Sequence, residues 1–206
     1  MRRLPQLVFG SELKIVVDRK HDVLTGLRLN ASLVAPSQVD TTERYVKLGL
    51  DEGAKLLCGG AKPTDLPAGL DPNAYYQATI FEADNSMKIA QEEIFGPVLC
   101  VIPFDSDDEA IKIANDSIYG LGGGVWSKNL ERAHGIAAAM RTGTVWVNDY
   151  HMITPTQPFG GYKQSGIGRE LGDYGYNEYR QIKHVWQNTA TDRSGYLHFS
   201  ALSGNI

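Results

Sequence analysis

The sequence predicts an α/β fold with a mainly parallel sheet and flanking helices, and three observations carry that prediction. Short apolar runs alternate with amphipathic segments through the middle of the chain. The runs, such as residues 98–104, are four to seven residues long and bounded by Gly or Pro, as strands are. The segments between them open on capping residues, most clearly Ser106-Asp107-Asp108-Glu109.

Taken in order, residues 13–17 read as a strand, while residues 25–35 show no clear period. Val39, Tyr45, Val46, Leu48 and Leu50 recur at helical spacing over residues 38–52, and Gly53 stands where a C′ glycine would end that helix. Residues 55–58 form a short apolar strand closed by Gly59-Gly60. A loop rich in Pro and Gly covers residues 61–73. Residues 75–81, aromatic and β-branched, read as one strand. The nearly continuous apolar run 98–104 is expected of a strand covered on both faces. A helix follows from Ser106 to about residue 116, then a strand over 121–126, a helix over 130–140 stopped by Gly143, and a strand over 144–147. Strands 98–104, 121–126 and 144–147 are expected to share one sheet. A short helix around 169–172 and a last strand over 181–186 complete the folded part. The domain is expected to span residues 1–187, and the polar residues 188–206 read as a tail.

Composition narrows the function classes. The chain has 206 residues, 42% hydrophobic and 21% charged, enough for one domain with a core. Its net charge of −4 carries no footprint for nucleic acid or an anionic membrane. Arg2 and Arg3 precede an apolar stretch too short for a signal peptide, and no run approaches the length of a membrane span, so a cytoplasmic location is expected. The two cysteines, Cys58 and Cys100, lie far apart, and the five histidines include no His-x-x-x-His pair, so no metal site is expected.

Glycine-rich stretches raise the question of a phosphate loop. Residues 120–124 and 166–171 lack Gly-x-Gly-x-x-Gly spacing, and residues 160–165 lack the Lys-Ser/Thr pair of a P-loop. Glu92 and Glu93 precede Ile94-Phe95-Gly96-Pro97, a helix end and turn before the apolar strand. A carboxylate there could accept hydrogen bonds from paired sugar hydroxyls, and the adjacent phenyl could pack on a planar ring.

Two longer stretches carry a family resemblance. Residues 86–104, SMKIAQEEIFGPVLCVIPF, contain E-E-I-F-G-P; residues 144–172, TVWVNDYHMITPTQPFGGYKQSGIGRELG, contain W-V-N and P-F-G-G-x-K-x-S-G-x-G-R-E. In that order and spacing they resemble the C-terminal half of an aldehyde dehydrogenase catalytic domain. The resemblance runs from residue 33 to residue 186 and is weak over residues 1–32. It implies a partial aldehyde dehydrogenase catalytic domain, a family reaction that oxidises an aldehyde to a carboxylate, and NAD or NADP as cofactor. It places the nicotinamide ribose on Glu93, the nicotinamide ring near Phe95, and the aldehyde entrance along Tyr150, His151, Ile153 and Phe159. Core packing would also account for Tyr150, Ile153 and Phe159, and a solvated loop position for His151. The wording V-W-V-N-D-Y-H is closer to betaine-aldehyde and related amino-aldehyde enzymes than to other members.

The same resemblance exposes a gap. The family reaction needs a thiolate nucleophile, carried just upstream of a Gly-Ser-Arg-like strand start. Gly10-Ser11 is the best match to that start, which puts Leu7 or a near neighbour where the cysteine belongs. Cys58 matches a strand remote from the family's active site, and Cys100 falls inside an apolar strand. No catalytic residue is therefore assigned. The family's general-base glutamate and dinucleotide-binding domain would precede residue 1, so weak or absent cofactor binding is expected of these residues. Three readings follow: a truncated relative inactive as a lone chain, a subunit of a split enzyme completed by another chain, or a non-catalytic scaffold or regulatory partner of a full-length relative. Self-association, or association with a full-length aldehyde dehydrogenase subunit, is expected as well, with residues 181–186 as the candidate edge.

Overall fold

Alternating strands and helices assemble into two sheets in the computed structural model, which describes residues 7–9, 14–18, 30–189 and 191, with the backbone alone for the first two stretches. Strands β1 (Leu7–Phe9), β2 (Lys14–Asp18), β4 (Lys55–Cys58), β6 (Thr79–Glu82), β7 (Val98–Phe104), β8 (Gly122–Val125) and β9 (Thr144–Val147) form the larger sheet, in the order β4-β6-β7-β2-β1-β8-β9. β2, β6, β7, β8 and β9 run one way, and β1 and β4 run against them. The sheet is thus mainly parallel, and the three strands expected to share it do so. Strands β3 (Asn30–Ser32) and β5 (Tyr75–Gln77) form a separate antiparallel pair.

Helices α1 (Pro36–Asp51), α2 (Lys88–Gln91), α3 (Asp107–Asn115) and α4 (Leu130–Ala139) pack against one face of the large sheet. β7 shows why: Val98, Cys100, Ile102 and Phe104 alternate onto that face and join the buried residues of the helices. Leu99 and Val101 point the other way, with Ile80, Leu57 and Cys58. The helix ends follow the expected chemistry. Gly53, at φ +89°, donates to Leu50 O and closes α1. Ser106 Oγ accepts from Glu109 N at 3.2 Å, while Glu109 returns a carboxylate oxygen to Asp105 N at 2.7 Å, one residue beyond the usual box. α4 stops at Ala139 rather than near Gly143. The Asn115 side chain clasps its end, donating to Ala139 O at 2.9 Å and accepting from Arg141 N at 2.6 Å.

Three expectations are corrected. Residues 75–81 make two strands in two sheets, because the chain bends at Ala78: Thr79 Oγ1 donates to Gln77 O and accepts from Gly60 N, both at 2.9 Å. Residues 169–171 are not helical, and the helix expected around 169–172 lies further on. Gly166 (φ +130°), Gly168 (φ +75°) and Leu171 (φ +63°) exclude helical backbone, so Phe159 and Glu170 pair as an antiparallel bridge and helix α5 (Gly172–Glu178) begins after them. Residues 181–186 form no strand. A strand needs a neighbour to satisfy its backbone groups, and among the described residues none pairs with them. Gly10-Ser11, residues 19–29 and most of the expected tail (190 and 192–206) lie outside the described residues.

Candidate functional site

The segment bearing Glu93 and Phe95 links α2 to the N-terminal end of β7. Its two glutamates have different tasks. Tyr45 OH donates to Glu92 Oε2 at 2.9 Å, and burial, then the hydrogen bond to Glu92, pushes the Tyr45 phenol above its ordinary pKa, keeping it a donor. Glu93 is exposed, and its carboxylate takes no hydrogen bond among the described residues. Phe95 adopts φ +51°, a conformation that residues with a side chain rarely take, and the residue is 76% exposed. Gln38 Nε2 donates to both Ile94 O and Phe95 O at 2.7 Å.

The W-V-N segment belongs to β9. Asn148, at φ +56°, extends the β8–β9 pairing by its side chain: Nδ2 donates to Ser127 O at 3.0 Å and Oδ1 accepts from Ser127 N at 2.9 Å. Asn tolerates this backbone better than most residues. Beyond it, Tyr150 meets Trp146 edge-on at 5.5 Å between ring centroids, and the His151 ring stacks on the Trp146 indole at 6.1 Å. Tyr150 and His151 are themselves 5.7 Å apart. Two glycines of β8 make room for the indoles, since a Cβ at Gly122 or Gly124 would run into the Trp146 or Trp126 ring. Ile153 is 43% exposed beyond this cluster.

The chain then returns to the N-terminal edge of β8 and β9, where Tyr162 N donates to Gly120 O at 2.8 Å. Phe159 lines an open cleft of about 760 Å³ there, with Leu121, Arg169, Leu171 and Tyr179. The polar residues of this motif hold the loop itself. Lys163 Nζ donates to Asn115 O at 2.7 Å and Ser117 O at 2.9 Å, Ser165 Oγ accepts from Gly120 N at 2.9 Å, and Arg169 Nη1 donates to Gly161 O at 2.9 Å. These anchors are missed by reasoning on chemistry alone, although the motif letters K, S and R contain them.

The candidate residues therefore fall into two groups on one edge and one at the other end. Glu93 and Phe95 stand at the start of β7. Phe159 stands at the starts of β8 and β9, three strand spacings away, roughly 14 Å across β2 and β1. Tyr150 and His151 follow the C-terminal end of β9. Glu93 and Phe95 do not line the Phe159 cleft. Leu7, matched to the expected nucleophile position, opens β1, whose backbone lies between β2 and β8. The two thiols are elsewhere. Cys100 is 2% exposed on β7 and its Sγ lies 3.4 Å from Ile89 O, while Cys58 lies on the edge strand β4.

A model of the aldehyde dehydrogenase family matches residues 25–185. The chain belongs to the aldehyde dehydrogenase family. It is 51% identical over 158 residues to a betaine aldehyde dehydrogenase of Bacillus subtilis (strain 168), covering 76% of this chain and 32% of that protein. Among solved structures it resembles the Mycobacterium tuberculosis aldehyde dehydrogenase complexed with NAD+, with a TM-score of 0.67 and 47% identity over 73% of this chain and 30% of that one. It also resembles the Staphylococcus aureus betaine aldehyde dehydrogenase in complex with NAD+, with a TM-score of 0.68 and 43% identity over 72% of this chain and 29% of that one. The chain thus spans about a third of the length of the relatives it matches. The fold is that of a partial aldehyde dehydrogenase catalytic domain. No described helix is long and apolar enough to cross a membrane.

Proposed function

We propose that this chain supplies the nicotinamide-ribose contact and the aldehyde-entrance wall of an NAD(P)+-dependent aldehyde oxidation site, and that these 206 residues alone do not turn over. The observation that carries the reading is the pairing of an exposed Glu93 carboxylate, which accepts no hydrogen bond among the described residues, with an exposed Phe95 at the start of β7. The residues present fit the cofactor's nicotinamide half. Glu93 accepts the paired ribose hydroxyls and Phe95 offers an apolar face to the ring. Bound there, NAD+ or NADP+ would supply the hydride acceptor for oxidation of the substrate carbon. Tyr150, His151 and Ile153 would line the aldehyde entrance beyond the C-terminal end of β9, and Phe159 would line it only from the opposite end of that strand. NAD-bound relatives support the cofactor class, and the match to a betaine aldehyde dehydrogenase supports an amino aldehyde or betaine aldehyde as substrate.

Chemistry argues against turnover by the lone chain. Only a thiolate can both attack the carbonyl and leave from the oxidised thioester, and loss of an enzyme's nucleophile costs about 10⁴- to 10⁶-fold in rate. Cys100 is sealed in the core, and Cys58 sits on edge strand β4, two strands from the start of β7. Two hydrogen bonds to Glu93 contribute roughly 3–6 kcal/mol before ordering costs, which corresponds to millimolar affinity at best. The test follows absorbance of the reduced cofactor with the purified chain, NAD+ or NADP+, and a set of aldehydes that includes betaine aldehyde. No turnover is expected. Turnover abolished by Cys58→Ser or Cys100→Ser would overturn the reading.

A second reading, completion by another chain, is favoured by one observation. Ile167, Tyr179, Ile182, Val185 and Trp186 are each at least 79% exposed, an apolar run that a partner would cover. Co-purification with the missing part of the fold, accompanied by restored turnover, would establish it.

A further inference from the structure

A single line of side chains on α1 holds the whole segment from Lys88 to Gly96. Gln38, Thr42, Tyr45, Gly49 and Glu52 recur at alternating four- and three-residue steps, the spacing that stacks positions along one helix face. At its far end, Glu52 accepts from Lys88 N at 3.1 Å and Ile89 N at 3.3 Å, capping α2. Gly49 leaves the space that the Ile89 side chain fills. Tyr45 ties down Glu92. Thr42, its hydroxyl donating to Gln38 O at 2.8 Å, packs where a Cβ on Gly96 would stand. At the near end, the two protons of one Gln38 amide go to two successive carbonyls, those of Ile94 and Phe95.

In an extended chain successive carbonyls point to opposite sides. Serving both from one amide requires the chain to turn between them, and the left-handed backbone of Phe95 makes that turn. Packing does not require it, because Phe95 is 76% exposed and buries little. Glu52, Tyr45 and Thr42 already anchor the rest of the segment.

We propose that Gln38 is a positioning residue: it holds Phe95 in its left-handed conformation and so sets how the ring and Glu93 are presented. The inference rests on the reading of Glu93 and Phe95 as the nicotinamide-ribose contact. It is tested in the full chain with Gln38→Met, which keeps length and helix propensity and removes both donors, and with nicotinamide mononucleotide as the probe, followed by NMR. Gln38→Met should melt where the unaltered chain does. Its Phe95 backbone resonances should lose the signature of positive φ, and its affinity for the probe should fall about tenfold. Gln38→Lys, which can still donate to both carbonyls, should restore the Phe95 signature. A Gln38→Met chain that keeps both signature and affinity overturns the inference. So does one whose melting point drops as a core variant's would, with affinity falling only in step with unfolding. If the unaltered chain shows no shifts with the probe, the reading of Glu93 and Phe95 fails, and the Phe95 signature alone decides the role of Gln38.

Discussion

A methyl group at position 143 would stand on the carbonyl oxygen of Gly160, so β9 and the P-F-G-G loop meet backbone to backbone. Gly143→Ala must push the two apart, and we expect a loss of about 1–3 kcal/mol, read as a lower urea midpoint. Gly135, exposed in α4 with nothing within 4 Å of its added Cβ, should behave oppositely: Gly135→Ala should gain up to about 1 kcal/mol in the same melt. A charge pair offers a pH test. Arg132 grips the Asp107 carboxylate with Nε and Nη2, the Nε bond being 2.7 Å, and this hydrogen bonding holds Asp107 below the ordinary carboxylate pKa. A depressed folded-state pKa contributes stability above the unfolded value near 3.9, and that stability disappears as pH falls through the folded value. The pair is more than a third exposed on the Asp107 side, so its contribution is at most about 1 kcal/mol. Asp107→Asn should therefore lower the melting point by a constant amount above about pH 5 and by a shrinking amount below about pH 4.

At the scale of elements, residues 181–186 carry the sharpest expectation. Ile182 is fully exposed and Trp186 is 81% exposed. If this stretch pairs with an edge strand of another copy, Val185→Pro should abolish self-association by removing a ladder donor, and should leave the melting point of the monomer unchanged. Sedimentation of the two chains at matched concentration checks this; a Val185→Pro chain that associates as before would count against pairing. The same stretch shows where sequence reading stops. β7, β9 and α3 are legible because apolar runs and caps are local signals. A strand's partner is not local, so residues 181–186 look like β-structure whether or not a neighbour is there. Nor is the bend at Ala78, which comes from Thr79 and Gly60 meeting across nineteen residues of chain.

For the molecule as a whole, the candidate site was legible only through its motif letters. Glu93 and Phe95 are two exposed residues in a turn, and nothing in composition or period distinguishes them from other turn residues. Gln38 was hidden further, because a polar residue on a half-buried helix reads as solvated until the segment it holds is in place. The motif residues Asn148, Lys163 and Arg169 were visible, but that their side chains bond to backbone carbonyls was not. One arrangement has a use of its own. The chain has three tryptophans, of which Trp126 and Trp146 are half-buried around Tyr150 while Trp186 stands in the exposed stretch. Under 295 nm excitation the first two should emit toward the blue and resist iodide, and Trp186 should emit toward the red and be quenched. The protein thus carries a built-in optical reporter: as concentration rises, loss of the quenchable component would register any surface that comes to cover Trp186, and a Trp186→Phe chain should show no such change.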